Sequence, residues 1–343
     1  MDFDDQFISK IENLSERYDE EYKLQDGSIN GDCIKYAKIF FRELGFYEED
    51  SNEINMGSLN DEYNDGLLKA VRRFQTLFHL PVTGEMDDVT WESINGKIDE
   101  GYLSKRENNK TVLMEALSNI PAGYRGAVHK NHLTEEKIEE LLNTIEEFNI
   151  DDTKELKAFI AHALCEGLAD ADAIENREKG YGEQDAKYNG GGFMQITKDY
   201  NYLGFALYEL VTQNFELIRE ELGGDSVNAS DFILSPAHNS TKALLNQYEM
   251  ILEKLNSKGN VDSMYTDIYD KAKTHVTEHY AWKSAGWFWM TNEIGKELEG
   301  CTDEEAMEKS LEKINPGEAG SSARAGVISQ VNAVSDILEG FEW

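Results

Sequence analysis

The chain has 343 residues, of which 40% are hydrophobic, and its 67 acidic and 33 basic residues give a formal net charge of −34. This length allows two domains with packed cores, whereas the lack of a basic block argues against nucleic acid as a partner, because phosphate contacts need lysine and arginine. The charge also makes an anionic membrane surface a poor partner, and no apolar run reaches the roughly 18 residues that a spanning helix needs.

The cysteines and the N-terminus indicate a reduced compartment. The chain has three cysteines, which is an odd number, and they lie far apart in the sequence at Cys33, Cys165 and Cys301. We therefore expect no disulfide framework. The first residues, Met-Asp-Phe-Asp-Asp, contain neither a basic nor an apolar signal region. We therefore expect synthesis in the cytoplasm without a signal peptide. A protein of this kind that acts outside the membrane needs another route of delivery.

Apolar residues recur mostly at three- and four-residue spacing, and only four prolines interrupt the chain. Both features predict a mainly α fold. Residues 1–30 form an acidic amphipathic segment, which we interpret as a surface helix or a docking arm.

Residues 31–97 have the pattern of a small three-helix module. Helices are predicted at 33–47, 66–80 and 88–94, and the second ends where proline and glycine occur at 81–84. Trp91 is the expected anchor of the third helix. The residues of the second helix that are expected to face inward are Leu67, Ala70, Val71, Phe74 and Phe78.

The same module carries a recognisable motif. The runs LxAVxxFQ at 68–75, LxVxG at 80–84 and TW at 90–91 resemble the helical peptidoglycan-binding module found on many cell-wall hydrolases. The resemblance covers nearly all of residues 31–97. It implies the identity of the module and not a binding site, because the matching residues are typical of its core.

The remainder of the chain is predicted to be a linker at 98–130, with one short helix at 111–117, followed by a domain at 131–343. This domain opens with an amphipathic helix, and a second helix is predicted at 154–167 with Asp152 or Thr153 as its N-cap. The apolar stripe of the first helix consists of Leu133, Ile138, Leu141, Leu142, Ile145 and Phe148.

Acidic residues near the end of the second helix could carry out glycoside hydrolysis. Such a reaction needs one carboxyl group that protonates the leaving oxygen and a second that activates or stabilises the attacking species. Glu166 fits the acid, since it ends an otherwise apolar helix and precedes a glycine. For the second carboxyl, Glu175, Glu178 and Glu183 all follow in the next loop.

The run NGGGFMQITKDYNY at 189–202 combines backbone freedom at glycine with amides, a hydroxyl and aromatic rings. With the helix end FIAHALCE at 159–166, it resembles the core signature of family-19 glycoside hydrolases, which include chitinases and many phage endolysins. The family helix reads Phe-Leu-Ala-Gln-x-x-His-Glu, so His162 stands here for the glutamine and Cys165 for the histidine.

The resemblance implies an inverting mechanism with Glu166 as the acid. By its distance from the acid, Glu183 is the implied base, and Glu178 is the alternative. Thr197 would help the base to hold the attacking water. Gln195 would bind a sugar, and Asn201 would bind the N-acetyl group or the water.

Two later blocks extend the same resemblance. WKSAGWFW at 282–289 resembles the aromatic helix under the family's active site, and we interpret it as a core stripe. The run from 314 to 324 resembles the family pattern in which Asn315 contacts substrate and Arg324 pairs with the base carboxylate. Tyr202 is expected to pack in the core.

The sequence therefore predicts a lysozyme-like α-helical glycosidase joined to a peptidoglycan-binding module. The expected activity is hydrolysis of β-1,4 bonds between N-acetylated amino sugars without a cofactor or metal. The expected substrate is peptidoglycan, with chitin as the runner-up, and a non-catalytic wall-binding component is the alternative from another class. Delivery would be by holin release, as for an endolysin, or by injection with a phage tail or secretion machine as partner.

Two histidine pairings resemble metal sites only superficially. His162 and Cys165 share a helix face, but no further histidine or cysteine lies near them in the sequence. His275 and His279 are four residues apart without the glutamate that a zinc-protease helix places between them. We interpret both pairs as structural.

Overall fold

The computed structural model describes residues 31–46, 63–120, 134–166, 192–193, 196, 198–233, 240–259, 261, 263–314 and 322–343. Within these ranges the side chains of seven residues are not described, namely Asp32, Asp65, Glu166, Asp225, Ser230, Ile314 and Ala323. The described elements are helices, so the predicted mainly α fold is confirmed. No helix in these ranges has both the length and the apolar character that crossing a membrane requires.

The chain divides into two compact units, Met1–Asn109 together with Glu342, and Lys110–Phe341 together with Trp343. The first unit contains α1 (Gly31–Glu43), α2 (Asp65–Leu77) and α3 (Asp88–Asp99), and α4 (Tyr102–Asn119) begins in it and ends in the second. The second unit contains α5 (Glu135–Glu147), α6 (Thr153–Glu166), α7 (Asp199–Leu222), α8 (Thr241–Lys258), α9 (Ser263–Asp270), α10 (Lys273–His279), α11 (Ala281–Thr291), α12 (Ile294–Glu297), α13 (Asp303–Ile314), α14 (Ser322–Asn332) and α15 (Ser335–Leu338).

The core of the first unit is aromatic. The Phe74 ring of α2 lies 5.9 Å from that of Phe40 and 5.5 Å from that of Phe41, both on α1. Tyr36 of α1 lies 5.8 Å from Trp91 of α3, and Trp91 is buried as predicted. The inward face expected for α2 is confirmed at Leu67, Ala70, Val71 and Phe74, while Phe78 is partly buried against the same core.

The buried side chain of Gln75 fixes the loop that follows α2. Its amide nitrogen donates to the Thr83 hydroxyl at 3.0 Å and to the Thr90 hydroxyl at 2.8 Å, and its amide oxygen accepts from the Gly84 nitrogen at 2.8 Å. Asp87 then caps α3 by accepting from the Thr90 nitrogen. The glutamine and threonine of the sequence motif are thus structural groups that tie the loop to α3.

Helix α4 is longer than the short helix predicted at 111–117. Residues 102–110 are polar, and we interpreted them as part of a linker. They contain neither proline nor glycine, so nothing in this segment ends a helix. Arg106 is also buried and donates at 3.3 Å to the carbonyl of Leu44, the residue that follows α1. The domain boundaries derived from the sequence stay a prediction.

In the second unit, α6 is the most enclosed helix of the described part, and α13, α14 and α15 pack against it. The long helices α7 and α8 pack together, and α11 packs on α5. The contact between α11 and α5 is close, because a methyl group at Gly286 would overlap the Phe148 ring. The stripe predicted for α5 is buried at Ile138, Leu141, Leu142, Ile145 and Phe148, while Leu133 lies outside the described residues.

Candidate active site

Helix α6 carries the predicted acid at its last position. The Asp152 carboxylate accepts from the Glu155 nitrogen at 2.6 Å and caps the helix, which confirms the first of the two predicted caps. Every residue of α6 from Leu156 to Cys165 is buried, including Lys157, whose ammonium lies 2.9 Å from Asp303 and 2.5 Å from Glu339. A rigid apolar helix of this kind suits an acid that must keep its proton.

Helix α11 is held at its start by a carboxylate. The Glu140 side chain of α5 accepts from the backbone nitrogens of Trp282 at 2.7 Å and Lys283 at 3.2 Å. It thereby satisfies two of the free N–H groups at the positive end of the helix. Trp282, Trp287 and Trp289 are buried, so the prediction of an aromatic core stripe is confirmed.

Aromatic contacts join α11 to α6. The Phe159 ring lies 5.8 Å from Trp282 and 5.4 Å from Trp289. The Trp289 indole donates to Glu155 at 2.7 Å. Burial raises the pKa of Glu155, and the hydrogen bond from Trp289 opposes that rise. The centre of the His162 ring lies 6.5 Å from that of Trp289. Helix α11 therefore packs along the face of α6 that contains His162, one turn before α6 ends.

The start of the glycine-rich signature docks on this same helix. The Phe193 nitrogen donates to the Ala281 carbonyl at 3.1 Å, and the Phe193 ring lies 4.2 Å from Trp282. The Gly192 nitrogen donates to the Thr277 hydroxyl of α10 at 3.2 Å. Because Trp282 contacts both Phe159 and Phe193, one indole connects the helix that ends at Glu166 with the signature segment.

Gly192 has a conformation and surroundings that require glycine. Its φ is +69°, and a Cβ there would lie 2.5 Å from the Ser284 hydroxyl and 3.1 Å from the Ala281 carbonyl. The sequence prediction that this run needs backbone freedom is confirmed at this position.

We expect Gly192→Ala to lower the free energy of unfolding by about 1–2 kcal/mol through its left-handed backbone alone, with a further loss from the two close contacts. Chemical unfolding would measure this effect. Gly326→Ala is the matched control, since nothing lies within 4 Å of its added Cβ and it sits inside α14. Equal unfolding midpoints for the two variants would contradict the prediction.

Backbone strain marks the entry to α7. Lys198 has φ 75° and ψ 144°, a region in which L-residues are rarely found. It lies between Thr197 and the first turn of α7, where the Asn201 nitrogen donates to the Lys198 carbonyl at 3.2 Å. Tyr202 is buried, as predicted, and burial raises the pKa of its hydroxyl. The strain places an unusual backbone beside the residues expected to hold water and sugar.

The structure describes some of the predicted site residues and not others. Glu183, its alternatives Glu175 and Glu178, Gln195, Thr197 and Asn315 lie outside the described residues, and Glu166 is described only as the last residue of α6. Asn201 lies in the first turn of α7 and is half-buried. The roles of all these residues stay predictions.

Arg324 is buried on α14 and bound to the neighbouring helix α13. One guanidinium nitrogen donates to the Glu312 carboxylate at 3.3 Å, and another makes a short bond to the Glu308 carbonyl. These contacts hold the guanidinium in place. The predicted pairing of Arg324 with Glu183 stays a prediction.

Sequence reasoning missed a buried ionic group beside α11. The Lys283 ammonium lies 2.8 Å from Glu209 of α7 and 3.2 Å from Glu147 of α5, and the Tyr208 hydroxyl donates to Glu147 at 2.8 Å. Burial and the nearby Glu147 raise the pKa of Tyr208 far above its usual range. These residues meet because three helices pack together, so no spacing in the sequence could have predicted the group.

The histidines are structural or unassigned. His275 is buried, and its ring lies 4.6 Å from that of the exposed His279. His162 is fully buried and Cys165 nearly so. Within the described ranges, no three metal-ligating side chains are grouped in a way that could hold an ion.

Comparison with known families gives one match, which lies within the first unit. Residues 30–94 match the family model described as "Putative peptidoglycan binding domain". No curated protein and no solved structure matches the chain. The match supports the predicted peptidoglycan-binding module and an association with the cell wall, and it leaves the family of the second unit open.

Proposed function

We propose that the chain is a peptidoglycan hydrolase in which the module at 30–94 holds the second unit on the cell wall. The module carries this proposal, because the helical module that it resembles is found on many cell-wall hydrolases, and here it is joined to a larger helical unit. The docking of Gly192 and Phe193 on the helix that also packs on α6 supports a shared cleft for the two segments of the resemblance.

In the proposed mechanism, Glu166 protonates the leaving oxygen of a β-1,4 bond between N-acetylated amino sugars. Glu183, together with Thr197, activates a water on the opposite face of the sugar, which gives inversion. Such a reaction needs carboxyl groups roughly 6.5–9.5 Å apart to seat the water.

The remaining residues of the proposed site bind and orient. Gln195, Asn201 and Asn315 hydrogen-bond the sugars. Arg324 lowers the pKa of the base by its positive charge, and this role is open to it because the guanidinium is already fixed by Glu312 and the Glu308 carbonyl. No organic cofactor takes part in this scheme.

The net charge constrains how the substrate is recognised. With a charge of −34, long-range forces repel a polyanionic wall. Affinity must therefore come from close contacts by the module and the cleft.

The proposal is tested with the purified full-length chain, murein sacculi and colloidal chitin. We expect reducing ends to be released from sacculi faster than from chitin. Faster release from chitin would make the protein a chitinase with the same carboxyl chemistry. Binding to sacculi without release from either polymer would overturn the hydrolase proposal in favour of a wall-binding component, an alternative that the cysteine at position 165 also motivates.

We propose two settings for this activity. The chain is an endolysin that reaches the wall through a holin, or it is injected by a phage tail or a secretion machine. Lysis from within, on expression with and without a holin, would separate the first setting from the second.

A further inference from the structure

The His162 imidazole is fully buried, and neither of its ring nitrogens has a hydrogen-bond partner among the described residues. A neutral imidazole has one N–H donor and one nitrogen acceptor. Leaving such groups unpaired in a protein interior is unfavourable, so buried polar groups nearly always have partners. An unpaired imidazole in the most enclosed helix of this part of the chain therefore points to a group that it binds.

The position of His162 identifies that group. His162 precedes Glu166 by four residues on α6, and residues at this spacing are neighbours on one face of a helix. The same face carries Phe159 one turn earlier, which packs on Trp282 and Trp289. The next position along this face is that of the proposed acid.

We propose that His162 is the positioning residue of the acid, and that its unprotonated ring nitrogen accepts the hydrogen bond of the Glu166 carboxyl O–H. This inference rests on the proposed function. The bond stabilises the protonated carboxyl, which is the form that a general acid must have before reaction. It also fixes the direction in which the O–H points until the leaving oxygen takes the proton.

Burial keeps His162 neutral, which the role requires. It lowers the pKa of His162 to about 3, because burial disfavours the charged form of the ring. Among charged groups on the packed elements, Glu155 is bound by Trp289, Lys157 by Asp303 and Glu339, and Arg324 by Glu312. A neutral imidazole accepts a hydrogen bond from the carboxyl O–H while the proton stays on the carboxyl group. Transfer of the proton would create a buried ion pair, which is costly in such an interior.

The sequence gives a natural rescue variant. Glutamine occupies this position in the family helix that α6 resembles, and its amide oxygen also accepts a hydrogen bond. His162→Gln should therefore preserve the role. In His162→Leu, the leucine side chain fills the space of the imidazole ring but cannot accept a hydrogen bond.

The first test compares pH profiles of kcat/KM for wild type, His162→Gln and His162→Leu on a soluble chitooligosaccharide or solubilised murein. Such a profile reports the pKa of the acid in the free enzyme. We expect the basic limb to move to lower pH by about one unit in His162→Leu, a tenfold change in the protonated fraction at a given pH, and to stay in place in His162→Gln. Unchanged limbs in two folded variants would overturn the proposal.

A second measurement does not depend on folding of the His162 variants. In protein with 15N-labelled histidine, we expect the His162 ring to stay neutral as the pH falls well below 6, because burial lowers its pKa. We expect its acceptor nitrogen to change chemical shift in Glu166→Ala and not in Glu253→Gln, which alters an exposed side chain on α8. An unchanged shift in Glu166→Ala would refute the hydrogen bond.

The two proposals can fail separately. If the wild type releases no reducing ends, the hydrolase proposal fails and the positioning role fails with it, while the 15N shift still decides whether the two side chains are bonded. If the wild type is active and both tests of His162 are negative, the hydrolase stands and the acid is positioned by another group.

Discussion

Glu166→Gln is expected to lower the rate of reducing-end release from sacculi by roughly 100- to 10,000-fold, the usual contribution of a positioned acid or base. A glutamine amide has nearly the size of the carboxyl but cannot supply a proton to a leaving oxygen. Because α6 is buried from Leu156 to Cys165 and capped by Asp152, the substitution at its last residue should leave the helix intact. Binding to sacculi and the unfolding midpoint are therefore expected to stay close to those of the wild type.

The matched control for this variant is Glu253→Gln, which makes the same chemical change at an exposed position of α8. It should retain full activity. Glu183→Gln and Glu178→Gln extend the comparison to the second carboxyl, and we expect the large loss at Glu183. Wild-type turnover by Glu166→Gln would remove this residue from the mechanism.

The sequence predicted local structure well wherever periodicity and capping decide it. The three helices of the module, the burial of Trp91 and the cap at Asp152 depend on residues close together in the chain. The helix at 102–110 was missed because its polar residues resemble a linker, although the segment has no helix-breaking residue. Its burial comes from a distant partner, the Leu44 carbonyl.

In the candidate site, too, local features were predictable from the sequence and contacts with distant residues were not. The need for glycine at position 192 was predictable from the run of glycines, but the groups that surround it, Ser284 and Ala281, were not. The same holds for Glu140, which caps α11 from about 140 residues away in the sequence. Sequence patterns identify which residues carry chemistry, whereas the partners that position them come from helices brought together by packing.

Lys283→Met is expected to lower the free energy of unfolding by about 3–5 kcal/mol, because it leaves buried carboxylates without their cation. The Glu147 and Glu209 side chains are 7% and 3% exposed, and they lie on two different helices that Lys283 joins to α11. Methionine keeps most of the length and apolar stem of lysine, so the loss measures the charge. Chemical unfolding at pH 7 would measure it.

Two controls separate this effect from simple loss of packing. Adding Glu209→Gln should recover part of the loss, because it removes one uncompensated charge. Lys271→Met breaks an exposed pair with Asp267, 2.7 Å apart, and should cost no more than about 1 kcal/mol. An equal loss in Lys271→Met and Lys283→Met would mean that the buried ionic group does not hold α5, α7 and α11 together.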